Sequence, residues 1–348
     1  MLHSRRQFTL GLGALALPGV TLASTQQAAW PFLKPGDTID VIAPSSPVDL
    51  PDERYEIIRA YFKNTPYNVN IPEDLIEPTS PLDEANTIEK RVAFIHAAFN
   101  SSSKAVWAIG GGGWGTRLLG ELAKLPRPQV VKPLLGYSDV TALHVFCNQH
   151  WGMPSIQSVV LGINGDISPG WNKTGLSEAM DVLTGKTPTV TYPLTAVNPP
   201  AAELTHTVSR IVGGNSLLVS ALNGTSQFTL DTRGKFLFLE SVADNPGQFS
   251  RKLMGMALSP LVQQCAGVIF GDVIQTGGRP NSPETEAQID AIIGQFGSRF
   301  APTKPVMLAK NLFGHGEVNL PLPLNTVATF TNLSGGRLTV AVSANMVP

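Results

Sequence analysis

A serine stands at a sharp break between an apolar run and a helical pattern. The run Leu134–Gly136 leads into Tyr137, Ser138 and Asp139, after which apolar residues recur at helical spacing. A serine at such a strand-to-helix corner projects from the sheet, and the backbone N–H groups after it favour a developing negative charge. The pattern is typical of a nucleophile in acyl transfer. Ser138 could instead cap the helix, so the corner needs catalytic partners elsewhere.

Two side chains in the second half of the sequence could be those partners. Glu240 directly follows an apolar run, so its carboxylate is partly withdrawn from water and needs a partner, unless it lies on an edge strand and faces solvent. His315 stands between two glycines at the end of another apolar run, and glycines permit an unusual backbone that projects the ring. Because geometry and not sequence order defines a triad, Ser138, Glu240 and His315 are candidates for a Ser–His–Glu arrangement.

A glycine-rich segment follows the predicted strand 105–109. Four successive glycines, Gly110–Gly113, precede Trp114 and Gly115, and a backbone without Cβ atoms can approach a ligand closely. The segment could cradle a phosphate, but the Walker lysine and the acidic residue of a dinucleotide site are absent. It could instead form an oxyanion hole opposite Ser138, or it could be a surface turn.

The composition indicates a folded protein with a large core. The chain has 348 residues, 43% hydrophobic and 15% charged, which suits two domains and excludes a disordered or fibrous chain. Without the two arginines of the leader described below, 23 basic residues stand against 26 acidic ones, and this net charge of −3 indicates no nucleic acid partner. Cys147 and Cys265 lie in apolar surroundings and no CxxC or HExxH motif occurs, which favours buried thiols over a disulfide framework or a metal site.

The first residues are typical of an export signal. Ser4–Leu10 reads SRRQFTL, and a mildly apolar, Gly/Ala-rich stretch follows it as far as Ala23. This is the pattern of a twin-arginine signal peptide, predicted over residues 1–23, and it places the protein in the periplasm. An uncleaved anchor is the alternative, but the apolar part is shorter than the roughly 20 residues that span a bilayer. We therefore expect no membrane insertion of the mature protein.

The rest of the chain predicts two domains with a connection between them. Strands alternate with helices from Thr38 to about Gly152, which predicts a doubly wound parallel sheet in a domain of residues 30–165. In such sheets ligands bind at the carboxyl ends of the strands, where the glycine segment and Ser138 would lie. Residues 166–205 are rich in Pro, Gly, Asn and Thr and predict a linker. A second domain, 206–348, would then carry Glu240 and His315, with a tight turn at 213–216.

Taken together, these motifs resemble the LD-carboxypeptidase family of serine peptidases, which also contains the microcin-C-type immunity peptidases. The resemblance spans nearly the whole chain after the leader, in order. The matching pieces are Leu33–Asp37, Ala43–Pro47, the glycine segment before Arg117–Leu119, Gly136–His144, Gly213–Asn215, Leu239–Glu240 and Gly314–His315.

By this resemblance, Ser138 is the nucleophile, His315 is the general base and Glu240 orients His315. The family's oxyanion hole uses the backbone N–H after the serine, here that of Asp139, and one N–H of the glycine segment. That segment departs from the usual Gly-Gly-Tyr-Gly form in either of two registers, and Gly112 fits both. The remaining histidines lack such a motif, and His144, on the helix after Ser138, is expected to be packed.

The resemblance also implies a fold and a function. It implies an α/β protein with a Rossmann-like N-terminal domain and a smaller β-rich C-terminal domain, commonly a homodimer, without cofactor or metal. The implied reaction is hydrolysis of the L,D bond to a terminal D-amino acid, D-Ala, in murein tetrapeptides, so the partner is a small muropeptide substrate. Two alternatives remain: an amidase of the microcin C type that cleaves peptidyl or aminoacyl adenylates, and a catalytically silent muropeptide-binding protein.

Overall fold

The computed structural model describes residues 30–79, 81–162, 174–275 and 279–345. The leader on which the export prediction depends lies outside these residues. In the described part, no helix has the length and apolar character needed to cross a membrane. The described residues form a six-stranded sheet and a closed barrel of seven strands.

Thirteen strands and ten α-helices make up the described structure. The strands are β1 (Thr38–Ile42), β2 (Asn68–Asn70), β3 (Ala105–Ala108), β4 (Leu134–Gly136), β5 (Ser155–Gln157), β6 (Thr189–Ala196), β7 (His206–Asn215), β8 (Phe236–Val242), β9 (Gly267–Ile274), β10 (Val306–Leu308), β11 (Leu322–Leu324), β12 (Val327–Ser334) and β13 (Arg337–Ser343). The helices are α1 (Pro51–Lys63), α2 (Ile88–Asn100), α3 (Leu119–Leu122), α4 (Thr141–Gln149), α5 (Leu176–Thr184), α6 (Pro199–Ala202), α7 (Ser216–Leu222), α8 (Pro246–Ala257), α9 (Pro260–Gln263) and α10 (Pro283–Gln295).

In the N-terminal sheet, the five strands β1 to β5 are parallel to one another. Its order is β11-β5-β4-β3-β1-β2, and only β11, from the far end of the chain, runs antiparallel to its neighbour β5. Apolar side chains of α1 and α5 pack on one face of the sheet, and those of α2, α3 and α4 pack on the other. Covered faces explain why β3 and β4 are apolar throughout. The predicted doubly wound α/β sheet is confirmed.

The C-terminal half forms the barrel, in the order β10-β6-β13-β12-β7-β8-β9. The four strands β7, β8, β9 and β10 are mutually parallel neighbours, joined by crossovers that contain α7, then α8 and α9, then α10. The other three strands pair antiparallel. Parallel strands end at the same edge, so residues at the carboxyl ends of β7 to β10 are brought close together. A β-rich C-terminal domain was predicted, and the barrel confirms it.

The segment predicted as a linker contains a strand of this barrel. Residues 163–173 lie outside the described part, but from Thr174 onward the segment forms α5, β6 and α6. β6 pairs with β13 along seven residues and with β10. Its Pro- and Thr-rich sequence alternates exposed residues with the buried Val190, Tyr192 and Leu194, which is the period-2 pattern of a half-buried strand. The Pro- and Thr-rich composition indicates a linker, although the alternation of buried and exposed residues is that of a strand.

The turn predicted at residues 213–216 is wrong. Gly213 and Gly214 are part of β7, at φ 131° and 143°, and the helix α7 begins directly after Asn215. A Cβ atom on Gly213 would lie 2.1 Å from the carbonyl oxygen of Phe238 in the neighbouring strand. These glycines allow an unusual backbone conformation and a close approach to neighbouring elements, and the chain does not reverse its direction there.

A buried ion pair ties the N-terminal helices to the glycine segment. The Arg91 guanidinium on α2 is buried, contacts the Glu84 carboxylate and donates to the carbonyl oxygen of Pro44 at 2.9 Å. The same Glu84 oxygen accepts from Arg117, which follows the glycine segment, at 2.9 Å. Arg91 and Glu84 together therefore connect α2, the loop after β1 and the residues that follow the glycine segment.

Replacing Arg91 tests how much of the stability depends on this pair. We expect Arg91→Met to lower the free energy of unfolding by about 3–5 kcal/mol, because it leaves the Glu84 carboxylate buried with one partner fewer. Arg59→Met, which removes an exposed pair with Glu56, should cost less than about 1 kcal/mol. Chemical denaturation of both variants measures the difference, and equal losses would contradict a structural role for the buried pair.

Candidate active site

The backbone at Ser138 adopts the conformation expected of a nucleophile corner. After β4 the chain passes through Tyr137, and Ser138 has a left-handed φ of 62°. Such a conformation in a non-glycine residue costs on the order of 1–3 kcal/mol and occurs preferentially at functional sites. The 3₁₀ turn Ser138–Val140 starts without a side-chain cap, and among the described residues none is hydrogen-bonded to Ser138 Oγ. The half-buried hydroxyl is therefore not used as a helix cap.

His315 and Glu240 form a hydrogen-bonded pair inside the protein. Nδ1 of His315 lies 2.8 Å from Oε2 of Glu240, with the two residues 1% and 0% exposed. The other carboxylate oxygen accepts from Asn215 Nδ2 at 3.0 Å. The interpretation of Glu240 as an acid that faces water is thus wrong, and the carboxylate has the partners that its burial requires.

The loop that carries His315 is shaped around this carboxylate. Gly314 has a φ of 124°, and a Cβ atom on it would lie 3.1 Å from Glu240 Oε2. The Gly314 N–H donates to the side-chain oxygen of Asn319 at 3.1 Å. A glycine before the histidine is therefore required both for backbone conformation and for the close approach to Glu240.

The two halves of the candidate site meet next to Ser138. The ring of Tyr137 lies against the imidazole of His315, with the ring centroids 4.7 Å apart. Tyr137 is 2% exposed, and burial raises the pKa of its hydroxyl group, so the ring is a neutral packing surface for the histidine. The structure thus brings the His315–Glu240 pair to the residue that immediately precedes Ser138.

The glycine segment lies beside the same corner. A Cβ atom on Gly111 would stand 3.0 Å from Ser138 Cβ, whereas one on Gly112 would stand 2.5 Å from Ser46 Oγ. The Ser46 hydroxyl also accepts from the backbone N–H of Gly113 at 3.2 Å. Gly111 is therefore the glycine that contacts Ser138, and Gly112 packs against the loop after β1. The assignment of Gly112 to the oxyanion hole stays a prediction.

Asp139 fixes the glycine segment through its side chain. Its carboxylate is 3% exposed and accepts from the backbone N–H of Gly115 at 2.7 Å. Burial raises the pKa of this carboxyl group, an effect that the Gly115 N–H and the charge of Arg91 oppose. The side chain is thus used for structure, and the predicted oxyanion contact concerns only the backbone N–H of Asp139.

Asp272 is a further carboxylate at this edge, and the sequence motifs did not predict it. It is 8% exposed on β9, accepts from the backbone N–H of Asn311 at 2.7 Å, and donates its own N–H to the carbonyl oxygen of Phe313. Asp272 therefore holds the loop that leads to His315. Like Glu240 it follows a buried apolar run in a strand, and this pattern could have pointed to it. Asn215, which the sequence marks only as the last residue of the motif Gly213–Asn215, is the second partner of Glu240.

His144 and the two cysteines have structural environments. Nε2 of His144 lies 2.9 Å from the carbonyl oxygen of Gly136, and burial lowers the pKa of this histidine to about 4, so it is neutral and packed as predicted. Burial raises the pKa of both thiols, Cys147 and Cys265, which are free and buried. In the part of the chain that is described, no group of three or more His, Cys, Asp or Glu side chains could hold a metal ion.

Comparison with known proteins identifies the family. The family model of the LD-carboxypeptidase N-terminal domain matches residues 39–158, and that of the LD-carboxypeptidase C-terminal domain matches residues 208–330. The chain belongs to the LD-carboxypeptidase family. The resemblance inferred from the motifs is confirmed, and with it the class of enzyme, a carboxypeptidase.

One curated relative is similar to this chain in sequence, and two solved structures are similar to it in fold. A Bacillus subtilis protein named as a probable murein peptide carboxypeptidase is 30% identical over 250 residues, which cover 69% of this chain and 73% of the relative. A muramoyltetrapeptide carboxypeptidase from Oxalobacter formigenes has the same fold, with a TM-score of 0.71 and 22% identity over 88% of this chain and 98% of its own. The microcin C7 self-immunity protein MccF, solved in complex with aspartyl sulfamoyl adenosine, superposes with a TM-score of 0.68 and 16% identity over 91% and 98% of the two chains.

The environment of Asp272 predicts a pH-dependent stability. Burial raises the pKa of this carboxyl group to about 6, and the nearby carboxylates of Glu240 and Glu286 act in the same direction. Below about pH 4 the group is protonated in both the folded and the unfolded chain. Between about pH 4 and 6 the folded protein keeps a proton that the unfolded chain releases, so the group lowers the free energy of unfolding as the pH rises.

Asp272→Asn removes this titration but keeps an oxygen for the Asn311 N–H. At about 1.4 kcal/mol per pH unit, the stability of the variant relative to wild type should increase by up to about 3 kcal/mol between pH 4 and pH 7. Urea denaturation of both proteins across this range measures the effect. Stability curves that run parallel with pH would mean that Asp272 is ionised as easily in the folded as in the unfolded state.

Proposed function

We propose that this LD-carboxypeptidase homologue is a serine carboxypeptidase that releases a terminal D-Ala from murein tetrapeptides by hydrolysis of the L,D bond. One observation carries the proposal: a buried His315–Glu240 hydrogen bond of 2.8 Å whose imidazole packs against Tyr137, the residue before a serine in a left-handed conformation. A histidine oriented by a buried carboxylate can accept a proton from a nearby hydroxyl group, which is the activation that a serine nucleophile needs.

The reaction proceeds in two halves. Ser138 Oγ attacks the carbonyl carbon of the scissile amide while His315 Nε2 takes the hydroxyl proton, and Glu240 accepts the hydrogen bond from Nδ1–H. The oxyanion is held by the backbone N–H of Asp139 and an N–H of the glycine segment, that of Gly112 or its neighbour. His315 then gives the proton to the leaving amine, which departs as D-Ala. Water, deprotonated by His315, then attacks the acyl carbon, and His315 returns this proton to Ser138 Oγ as the ester bond breaks and the shortened peptide leaves as a carboxylate. No step needs a metal or a cofactor.

The choice of substrate is supported by the relatives. Both the Bacillus subtilis relative and the Oxalobacter formigenes structure are named for murein or muramoyl peptides. Incubation of the purified protein with murein tetrapeptide should release one D-Ala per peptide, detected by mass spectrometry. A tetrapeptide that ends in L-Ala serves as the control and should stay intact. Failure to turn over any muropeptide would favour a silent binding protein.

A second candidate function is cleavage of aminoacyl-adenylate compounds. MccF has the same fold and was solved with aspartyl sulfamoyl adenosine, and a nucleobase would need an aromatic side chain to stack on. Trp107 and Trp151 are buried in the core and cannot serve, and Trp171 lies outside the described residues. Trp114 is half-buried in the glycine segment beside Ser138. Release of aspartate from an aspartyl adenylate analogue, without D-Ala release from murein peptides, would favour this function.

The Ser138 variant distinguishes a nucleophile from a structural serine. Ser138→Ala should reduce D-Ala release on the order of 10⁴-fold or more while the peptide still binds, because only the attacking oxygen is lost. A fluorophosphonate should add its mass to Ser138 in the wild-type protein, and His315→Ala should suppress the labelling because the hydroxyl group then lacks its base. Retained turnover in Ser138→Ala, or labelling of another serine, would refute this assignment.

We further propose that the protein is exported by the twin-arginine pathway to the periplasm and acts there as a homodimer. The SRRQFTL sequence supports export, and the family resemblance supports the dimer. Replacing Arg5 and Arg6 by lysine should leave the protein in the cytoplasm on cell fractionation, because the signal depends on the arginine pair. Arg251→Lys, an exposed position of the C-terminal half, is the matched control and should not change localisation. Periplasmic recovery of the double variant would refute the route.

A further inference from the structure

A buried threonine connects the proposed nucleophile to the barrel. Thr141 is the first residue of α4, three positions after Ser138, and it is 0% exposed. Its Oγ1 accepts a hydrogen bond of 2.9 Å from the backbone N–H of Asn215, the last residue of β7. This bond joins the helix that begins at the nucleophile corner to the strand that ends beside Glu240.

The partner strand is built to admit this hydroxyl group. Gly214 precedes Asn215 and has a φ of 143°. A Cβ atom on Gly214 would lie 2.5 Å from Thr141 Oγ1 and 2.8 Å from its methyl carbon. Any other residue would force α4 and β7 apart, so the glycine and the threonine together set the separation of the two elements.

Asn215 also contacts the Glu240–His315 pair through its side chain. Its Nδ2 donates to Glu240 Oε1 at 3.0 Å, and Glu240 Oε2 lies 2.8 Å from His315 Nδ1. The Asn215 side-chain oxygen accepts from the backbone N–H of Leu217 at 3.0 Å, which fixes the amide orientation. Through the backbone and side chain of Asn215 and the two oxygens of Glu240, hydrogen bonds therefore link Thr141, in the first turn after Ser138, to the ring nitrogen of His315.

We propose that Thr141 is a positioning residue of the active site: its hydroxyl group sets the placement of the Ser138 corner relative to the Glu240–His315 pair across the junction of sheet and barrel. The inference rests on the proposed roles of Ser138 and His315. Proton transfer between these two residues depends on a short and well-aligned contact, and a misplacement of about 1 Å can cost on the order of 10²-fold in rate.

The test compares three variants. Thr141→Val keeps the shape of the side chain, removes the acceptor and leaves the Asn215 N–H unpaired, so kcat should fall about 10- to 100-fold with KM within about 3-fold. Thr141→Ser keeps the hydroxyl group and should restore most of kcat. Thr232→Val is the matched control, because Thr232 is equally buried and its hydroxyl donates to the carbonyl oxygen of Leu261 at 2.7 Å, in a contact that involves none of the active-site residues. It should lose stability without loss of kcat.

The rate of fluorophosphonate labelling at Ser138, corrected for the folded fraction, provides the readout that a purely structural role would not change. It should fall in Thr141→Val in parallel with kcat and stay at the wild-type value in Thr232→Val. If Thr141→Val does not fold, Thr141→Ala removes the same hydroxyl group without added bulk, and the same comparison applies.

The possible results separate the two proposals. An active wild type, an inactive Ser138→Ala and a Thr141→Val variant with wild-type kcat and labelling would overturn the role of Thr141 alone. Equal losses in Thr141→Val and Thr141→Ser would also overturn it, because the hydroxyl group would then not matter. An active Ser138→Ala variant would instead overturn the proposed nucleophile.

Discussion

The hydrogen bond between Glu240 and His315 constrains the arrangement of the whole C-terminal half. A carboxylate removed from water needs compensating partners, and this one obtains them from two other places in the chain. β8 supplies the acid, Asn215 at the end of β7 supplies one donor, and the loop after β10 supplies the imidazole. Neighbouring parallel strands that end at a common edge allow these contacts. The barrel thus brings polar groups from distant positions of the chain into contact with one buried carboxylate.

The two halves of the candidate site use different chemistry to hold their parts. On the sheet side the backbone dominates: Ser138 sits in a strained left-handed conformation, and a Cβ atom on Gly111 of the glycine segment would lie only 3.0 Å from Ser138 Cβ. On the barrel side the side chains dominate, and they are buried and hydrogen-bonded. The strained corner needs support from its surroundings, which Asp139 supplies on one side through its bond to Gly115.

Local patterns in the sequence predicted the sheet and the three central residues because the relevant signals are short-range. Each strand or helix has an apolar pattern that can be recognised from neighbouring residues alone. The same holds for an acid after an apolar run and for a histidine between glycines. β6 was not predicted because its composition resembles a linker, and the glycines of β7 resemble a turn although they serve a close contact between strands. The role of Thr141 could not be predicted because it depends on Asn215, 74 positions away along the chain, whereas Asp272 follows an apolar run as Glu240 does and carries the same local signal.

The pairing of β11 with β5 makes the two halves of the chain interdependent during folding. β11 lies between the loop that carries His315 and the strands β12 and β13 of the barrel. Its residue Leu322 nevertheless pairs with Gln157 of β5 in the N-terminal sheet. A growing chain that has completed only its first half therefore presents the backbone of β5 as an open edge, a template for pairing with other chains. This edge is covered by β11 only when nearly all of the chain has been synthesised. Because contacts between residues far apart in sequence form slowly, the partly folded chain has an exposed strand edge and can aggregate during this time.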